Sequence, residues 1–238
     1  DLYWLTTQIS SFVTKHKIVY SQKFKNIRFT YVRQKSQRGL GDAIAHASHL
    51  INDSAFAVLL ADDLIFSETS CLQQLIDIHK NTRSSVIGIN EVPKSDVSKY
   101  GVIKATNEDS ELKIIDIIEK PDISDAPSNL AVVGRYILES DIFNYLKRVE
   151  EDSSNEIQLT DAIKLMLHDK DVYGCKYIGT KFDCGSKKGF VAATLYKGLQ
   201  DEQIKQEINK IIGKAWRYSY HFLSYFLQRH RIYLLCIH

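Results

Sequence analysis

The sequence lacks an excess of charge of either sign. It holds 31 Lys and Arg residues against 29 Asp and Glu, so its formal net charge is only +2. Nucleic-acid-binding proteins usually concentrate basic residues on one face, whereas the basic residues here are scattered among acidic ones. We therefore expect no nucleic-acid partner. With 44% hydrophobic and 25% charged residues, the 238-residue chain has the composition of an ordinary globular protein.

The sequence also lacks paired cysteines and long apolar runs. Cys71, Cys175, Cys184 and Cys236 form no C-x-x-C pair, which argues against a zinc or redox motif and fits a reducing compartment. No apolar stretch approaches the ~18 residues that a membrane span needs. The opening residues, DLYWLTTQIS, have neither the basic nor the apolar region of a secretory signal. These absences predict a cytoplasmic protein with no membrane span.

What is present is an alternation of apolar runs and helical stripes. Residues 55–62 and 85–92 are almost continuously apolar, which is typical of strands buried on both faces of a parallel sheet. A helical pattern covers residues 70–80 between them, and three β-rich segments follow within residues 100–138. A long helix is predicted over residues 187–212, with a bend at its internal glycine. The pattern predicts an α/β domain with a largely parallel sheet.

Two aspartates at the ends of apolar runs are candidate metal ligands. Asp62 ends the first run, at the edge where α/β sheets gather their ligands. Mg²⁺ takes one or two protein carboxylates together with substrate phosphates, and Asp183 is a candidate for the second carboxylate. Asp63 competes with Asp62, because alternation along a strand lets only one of them point to a given side. Each aspartate taken alone is more often a turn or cap residue.

Glu119, Lys120 and Pro121 end another apolar run. The proline biases Lys120 towards an extended backbone. A lysine at that edge can present a point charge to a phosphate, while Glu119 can accept hydrogen bonds from sugar hydroxyls. A surface ion pair beside a turn is the alternative interpretation of the same residues.

Gly39 and Gly41 lie at the start of a predicted helix, and helix N-termini favour anions. Two glycines form a weak motif, because glycines are common at helix starts. Gln34 precedes them, and its amide can pair with both the donor and the acceptor edges of a pyrimidine. His46 and His49 lie three residues apart on this helix, but no third ligand is evident, so we do not expect a zinc site.

The order of these motifs and their residues resemble those of one family. The segments VRQ, GLGDA, LLADDL, SKYGV, EKP, APSNLAVVGRYIL, NEIQLTDAI and DCG are similar to those of bacterial UTP–glucose-1-phosphate uridylyltransferases, also called UDP-glucose pyrophosphorylases. The likeness covers roughly residues 27–198, and its two longest segments distinguish this branch from the thymidylyltransferases. It implies a Rossmann-like nucleotidyltransferase of glycosyltransferase-A type with a mixed, mainly parallel sheet. We expect this domain over residues 1–213, followed by an aromatic, basic tail of unassigned role over residues 214–238.

The resemblance also implies roles for seven residues and a metal ion. They are Gln34 and the backbone of Gly39 for the uracil, Asp62 and Asp183 for Mg²⁺, Gly101 and Glu119 for the glucose hydroxyls, and Lys120 for the sugar-bound phosphate. The implied reaction transfers a uridylyl group from UTP to glucose 1-phosphate, giving UDP-glucose and pyrophosphate.

The sequence departs from the family near its amino terminus. Family members begin with a G-x-G-T-R loop, which wraps the triphosphate, followed by K-x-x-P-K-E, and neither motif occurs here. We therefore expect an amino-terminally truncated domain whose activity alone is impaired. Its expected partners are UTP and glucose 1-phosphate, and a homo-oligomer or a complementing amino-terminal fragment is left open. The alternatives are a non-catalytic remnant, a nucleotide-sugar binding module or, more distantly, another nucleotide or sugar specificity.

Overall fold

The computed structural model describes residues 30–52, 54–108 and 111–214, except for the side chains of residues 107 and 108. The chain divides into two compact units, Asp1–Gln37 and Arg38–His238. The described part of the first unit, residues 30–37, contains no helix or strand. All elements below belong to the second unit. Residues 215–238 of the predicted tail lie outside the described residues, so the division at residue 213 stays a prediction.

The second unit contains both strands and helices. Its strands are β1 (Phe56–Leu59), β2 (Asp63–Phe66), β3 (Ser85–Glu91), β4 (Gly101–Glu108), β5 (Glu111–Glu119), β6 (Leu130–Leu138), β7 (Val172–Lys176) and β8 (Thr180–Asp183). Its helices are α1 (Gly39–His46), α2 (Cys71–Thr82), α3 (Ile142–Leu146), α4 (Leu159–Met166), α5 (Lys187–Gly198) and α6 (residues 202–214), with 3₁₀ turns at Ser48–Leu50 and Lys94–Lys99.

Six strands form a mixed sheet in the order β1-β6-β3-β7-β5-β4, while β2 and β8 form a separate antiparallel pair. The predicted mixed α/β sheet is thus confirmed. Its expected mainly parallel character is not found in the described residues, where β3 and β7 are the one parallel pair. Parallel neighbours need a long crossover, usually a helix. The connection from β5 to β6 carries no helix, and β4 pairs antiparallel with both of these strands.

The main sheet is buried on both faces along β3. Val86 packs in a cluster with Cys71 and Leu75 of α2, whereas its neighbour Ile87 packs in the larger cluster with residues of α3 and α4. Successive strand residues point to opposite faces, so helices cover both sides here, as predicted. Strand β1 differs from the prediction, because it alternates between partly buried and exposed residues, and Leu59 is 51% exposed.

The predicted long carboxy-terminal helix is broken after Gly198. Asp201 begins a second helix, because its Oδ1 accepts hydrogen bonds from the amides of Gln203 and Ile204 at 3.0 and 3.1 Å. A Cβ on Gly198 would lie 3.0 Å from the side chains of Ile204 and Ile208, so glycine lets α6 pack closely on α5. The expected bend is therefore a full break. Among the described residues, no helix is both long and apolar enough to cross a membrane.

Candidate active site

A cleft of about 390 Å³ opens where the ends of several strands meet the start of α4. Five of the seven residues predicted from the sequence line it: Asp62, Gly101, Glu119, Lys120 and Asp183. Gly39 begins α1 beside Leu40, which lines the cleft. Gln34 belongs to the first unit, so its contact with the uracil stays a prediction.

One side of the cleft carries the two candidate metal carboxylates. Strands β2 and β8 pair with Asp63 opposite Asp183, and the amide of Cys184 donates to the carbonyl of Asp62 at 2.7 Å. A Cβ built on Gly185 would lie 3.1 Å from Asp183 Oδ1 and 3.2 Å from Asp62 Oδ2. The two carboxylates therefore reach the same point, and glycine leaves that point open.

This donor set fits a divalent cation that shares its coordination with phosphates. Asp62 and Asp183 are both exposed. Two carboxylates match the small number that Mg²⁺ takes from a protein when phosphate oxygens supply other ligands. Within the described residues, no group of three or more His, Cys, Asp or Glu could hold a metal by itself.

Asp63, the competitor of Asp62, is committed to contacts inside the protein. It is buried, its Oδ2 accepts a hydrogen bond from the amide of Gly134 at 2.7 Å, and its Oδ1 lies 2.9 Å from Lys181 Nζ. The guanidinium of Arg135 donates to its carbonyl oxygen. Asp63 therefore anchors β2 to β6, while Asp62 is exposed and lines the cleft.

The other side of the cleft carries the predicted sugar-phosphate residues. Gly101 and Glu119 are opposite each other in the β4–β5 ladder. The hydroxyl of Thr160 donates to Glu119 Oε2 at 3.0 Å, and Lys120 Nζ lies 3.6 Å from Glu119 Oε1. A Cβ on Gly101 would lie 2.8 Å from Thr160 Cγ2. The arrangement presents carboxylate, hydroxyl and ammonium groups to one small volume.

The backbone of Lys120 contradicts the prediction of an extended conformation. Its φ is +43°, in the left-handed region that residues other than glycine rarely adopt. Its amide donates a hydrogen bond to the carbonyl of Tyr100 at 3.0 Å, where β5 ends and the chain turns. Such strained residues cluster at functional sites, which agrees with the predicted role of this lysine.

A hydrogen-bonded loop presents Glu156 and Gln158 to the cleft. The carboxylate of Asp152 accepts bonds from Gln158 Nε2 at 2.8 Å, from Ser154 Oγ and N at 2.7 and 2.8 Å, and from the amide of Glu156 at 3.0 Å. These bonds, with the Gln158 amide contributing most, hold the pKa of Asp152 well below its ordinary value. The loop is thereby fixed by one carboxylate.

The two glycines of α1 are needed for packing against this loop. The amide of Gly41 donates to the carbonyl of Ile157 at 2.9 Å, and a Cβ on Gly41 would lie 2.6 Å from that oxygen. Gly39 has a φ of +84°, and a Cβ there would lie 2.9 Å from the same oxygen. The glycines thus join α1 to the loop, and the predicted uracil contact of Gly39 stays a prediction.

The sequence did not predict several residues of the cleft. Lys181 is one, although alternation along β8 places it on the same face as Asp183, and this signal could have found it. Tyr136 is buried in the cleft wall, and burial, followed by the charges of Glu119 and Asp63, raises the pKa of its hydroxyl. A Cβ on Gly189 would lie 1.7 Å from the carbonyl oxygen of Asp183, so only glycine lets α5 begin there.

Comparison with known proteins identifies the family. Residues 1–198 match the nucleotidyl transferase family. A UTP–glucose-1-phosphate uridylyltransferase of Staphylococcus epidermidis is 45% identical over 197 residues, which are 82% of this chain and 68% of that protein. The chain belongs to the UTP–glucose-1-phosphate uridylyltransferase family. The match begins at residue 1, so the predicted start of the likeness at residue 27 is wrong.

Solved structures agree with this uridylyltransferase assignment. A UDP-glucose pyrophosphorylase complexed with UDP-glucose superimposes with a TM-score of 0.70 at 40% identity, covering 76% of this chain and 72% of that one. The UTP-bound enzyme of Acinetobacter baumannii gives a TM-score of 0.68 at 31% identity, covering 88% and 74%. These likenesses confirm the predicted Rossmann-like nucleotidyltransferase fold.

Proposed function

We propose that this chain transfers a uridylyl group from UTP to glucose 1-phosphate with the help of Mg²⁺, giving UDP-glucose and pyrophosphate. The observation that carries the proposal is the convergence of Asp62, Gly101, Glu119, Lys120 and Asp183 on one cleft. The family supports it, since the solved relatives include one that holds UDP-glucose and one that holds UTP. The predicted cytoplasmic location stays a prediction.

The reaction needs positioning more than it needs a strong base. A phosphate oxygen of glucose 1-phosphate attacks the α-phosphorus of UTP, the bond from that phosphorus to the bridging oxygen breaks, and pyrophosphate leaves with the electron pair. The attacking oxygen is already an anion, so no proton has to be removed. The protein therefore contributes by aligning two anions and offsetting their charge.

Each side of the cleft has a task in this alignment. Asp62 and Asp183 would hold Mg²⁺, which when bound supplies charge neutralisation at phosphoryl oxygens. Lys120 would contact the phosphate of the sugar, with Glu119 and the backbone at Gly101 orienting the glucose hydroxyls. Gln34 and the backbone of Gly39 are proposed to contact the uracil.

The test is pyrophosphate release by the purified chain with UTP, glucose 1-phosphate and Mg²⁺. Removing a group that stabilises developing charge typically slows an enzyme ~10²–10³-fold, so we expect that loss for Asp62→Ala. Asp77→Ala, which removes an exposed carboxylate on α2 outside the cleft, is the matched control and should keep full activity. Equal turnover by both variants would contradict the proposal.

We further propose that the 238-residue chain tested alone turns over slowly. Its sequence contains no G-x-G-T-R loop, and loss of one catalytic electrostatic donor costs ~10²–10³-fold in rate. Adding a fragment of a relative that carries the loop should raise pyrophosphate release. Full turnover without the fragment would show that the loop is dispensable here.

A second candidate is a nucleotide-sugar binding module or remnant without turnover, and its binding part is supported by the solved relative that holds UDP-glucose. It predicts UDP-glucose binding, measured by calorimetry, with no pyrophosphate release even after the fragment is added.

Competition between UTP and dTTP separates uridylyl from thymidylyl specificity. Sedimentation of the purified chain tests whether it forms a homo-oligomer.

A further inference from the structure

Lys181 occupies a central place between the two sides of the cleft. Its Nζ lies 2.9 Å from Asp63 Oδ1 and 5.1 Å from the centroid of the Tyr100 ring. The side chains of Lys181 and Asp63 are only 13% and 12% exposed. A partly buried ammonium thus contacts a carboxylate on one side and an aromatic face on the other.

The carboxylate contact fixes the strands that carry the candidate metal ligands. Strands β2 and β8 span four residues each and pair only with each other among the described strands. An isolated two-stranded ladder is marginally stable in water. Asp63 follows Asp62 directly, and Lys181 precedes Asp183 by two residues. Their ion pair therefore holds together the two chain segments whose carboxylates must meet.

The aromatic contact fixes the segment that carries the sugar-phosphate residues. Tyr100 directly precedes Gly101, and its carbonyl accepts a hydrogen bond from the amide of Lys120. An ammonium over the Tyr100 ring limits where this segment can lie relative to β8. The position of Lys120 is thus tied, through Tyr100, to the strand that ends in Asp183.

We propose that Lys181 is a positioning residue, which holds the metal-binding side of the cleft, Asp62 and Asp183, in register with its phosphate-binding side, Lys120. The ligands named in this proposal rest on the proposed function, whereas the geometry does not. An ion pair, exposed or buried, contributes little net stability compared with well-packed apolar side chains. Its location between the two sides therefore points to placement rather than stability.

The first test uses hydrogen exchange in the ligand-free chain. Two amides report the two sides: that of Cys184, bonded to Asp62, and that of Lys120, bonded to Tyr100. In Lys181→Met we expect both to lose protection. Lys181→Arg keeps the charge and should keep most of the protection. Lys176 lies on β7, is half-exposed and pairs with Glu91. The Lys176→Met variant is the control and should leave both amides unchanged.

A double variant separates positioning from simple destabilisation. Lys181→Met alone leaves the buried carboxylate of Asp63 without its cation, which by itself can unfold the region. Asp63→Asn combined with Lys181→Met removes both charges and keeps an oxygen to accept the Gly134 amide. We expect the double variant to fold, with native circular dichroism, and still to show fast exchange at the Cys184 and Lys120 amides.

The second test measures ligands directly. Residues that orient metal ligands typically contribute 10–100-fold in affinity, so we expect Mn²⁺, followed by electron paramagnetic resonance, to bind ~10–100-fold more weakly to the double variant. UDP-glucose affinity, followed by calorimetry, should also fall. In Lys181→Arg both affinities should be largely restored.

The outcomes distinguish this proposal from the proposed function. Wild-type exchange at both reporter amides in the double variant would overturn the role of Lys181, as would acceleration spread equally over β3 and β7. If the wild-type chain binds neither Mn²⁺ nor UDP-glucose, the proposed function fails. The hydrogen-exchange result then still decides whether Lys181 holds the two sides together.

Discussion

At the scale of single residues, the cleft depends on backbone atoms that lie too close to a neighbour for a side chain. At Gly101 an added Cβ would meet Thr160 Cγ2 at 2.8 Å and Glu119 Oε2 at 3.1 Å. Thr160 and Glu119 are hydrogen-bonded to each other. A methyl group at Gly101 would therefore push Thr160 and Glu119 apart, and Glu119 is proposed to orient the sugar.

The Gly101→Ala variant tests this close approach. Overpacking of this kind costs about 1–3 kcal/mol, and we expect the KM for glucose 1-phosphate to rise by a corresponding factor while the KM for UTP changes little. Gly213→Ala is the control, because a Cβ there meets nothing within 4 Å. Equal effects on both substrates would place the damage in the fold rather than at the sugar.

Residues at the ends of apolar runs could be predicted, and residues defined by contacts between distant segments could not. Asp62 and Lys120 lie at such ends, so the local sequence alone made them candidate ligand-binding residues. Gly101 was predicted through the family resemblance alone. The hydrogen bond of the Lys120 amide to Tyr100 and the ion pair of Lys181 with Asp63 join distant segments, and no local pattern encodes them.

At the scale of elements, the loop over residues 152–158 is held by one ionised carboxylate. Hydrogen bonds keep the pKa of Asp152 below its ordinary value. A carboxyl group whose pKa is lowered by folding stabilises the folded loop at a pH above its unfolded pKa, about 4. That stabilisation diminishes as the pH falls below this value and is lost below the lowered pKa of the folded state.

We therefore expect acid to loosen this loop before it alters the core. The measurement is the amide resonances of Ser154 and Glu156, which donate to Asp152, followed as the pH is lowered from 6. They should shift together below pH about 4. Asp152→Asn should show no such transition. In this variant Glu156 and Gln158 should be more mobile at every pH. Unchanged resonances in this variant would show that the loop is held by other contacts.

Helices followed from the sequence more faithfully than strand directions did. The apolar stripe of α2 is a local pattern, and this helix forms where it was predicted. Whether two strands run parallel depends on what connects them over long distances. The antiparallel placement of β6 between β1 and β3 has no local signature in the sequence. The break between α5 and α6 required the capping carboxylate of Asp201 as well as the glycine.

At the scale of the whole molecule, the largest core cluster joins the main sheet to the helices behind the cleft. Ile163 of α4 is fully buried in this cluster, and Thr160 of the same helix faces the cleft. Core packing and the position of the site are therefore linked through α4.

Ile163→Ala should lower the free energy of unfolding by about 2–5 kcal/mol, the usual cost of such a cavity. Urea denaturation followed by circular dichroism measures it. Ile178→Ala is the control, because Ile178 is 83% exposed, and a surface change of this kind usually stays within about 0.5 kcal/mol. Similar losses in the two variants would mean that α4 is not part of the stable core.

The pairing of β2 with β8 has a consequence for synthesis of the chain. Strands β3 to β7 all lie between these partners in sequence. Closing so long a stretch costs entropy that only the completed sheet can offset. The carboxylates of Asp62 and Asp183 can thus meet only after strands β3 to β7 have been synthesised. Binding of a nucleotide by a nascent chain would therefore mark the moment at which β8 has joined β2.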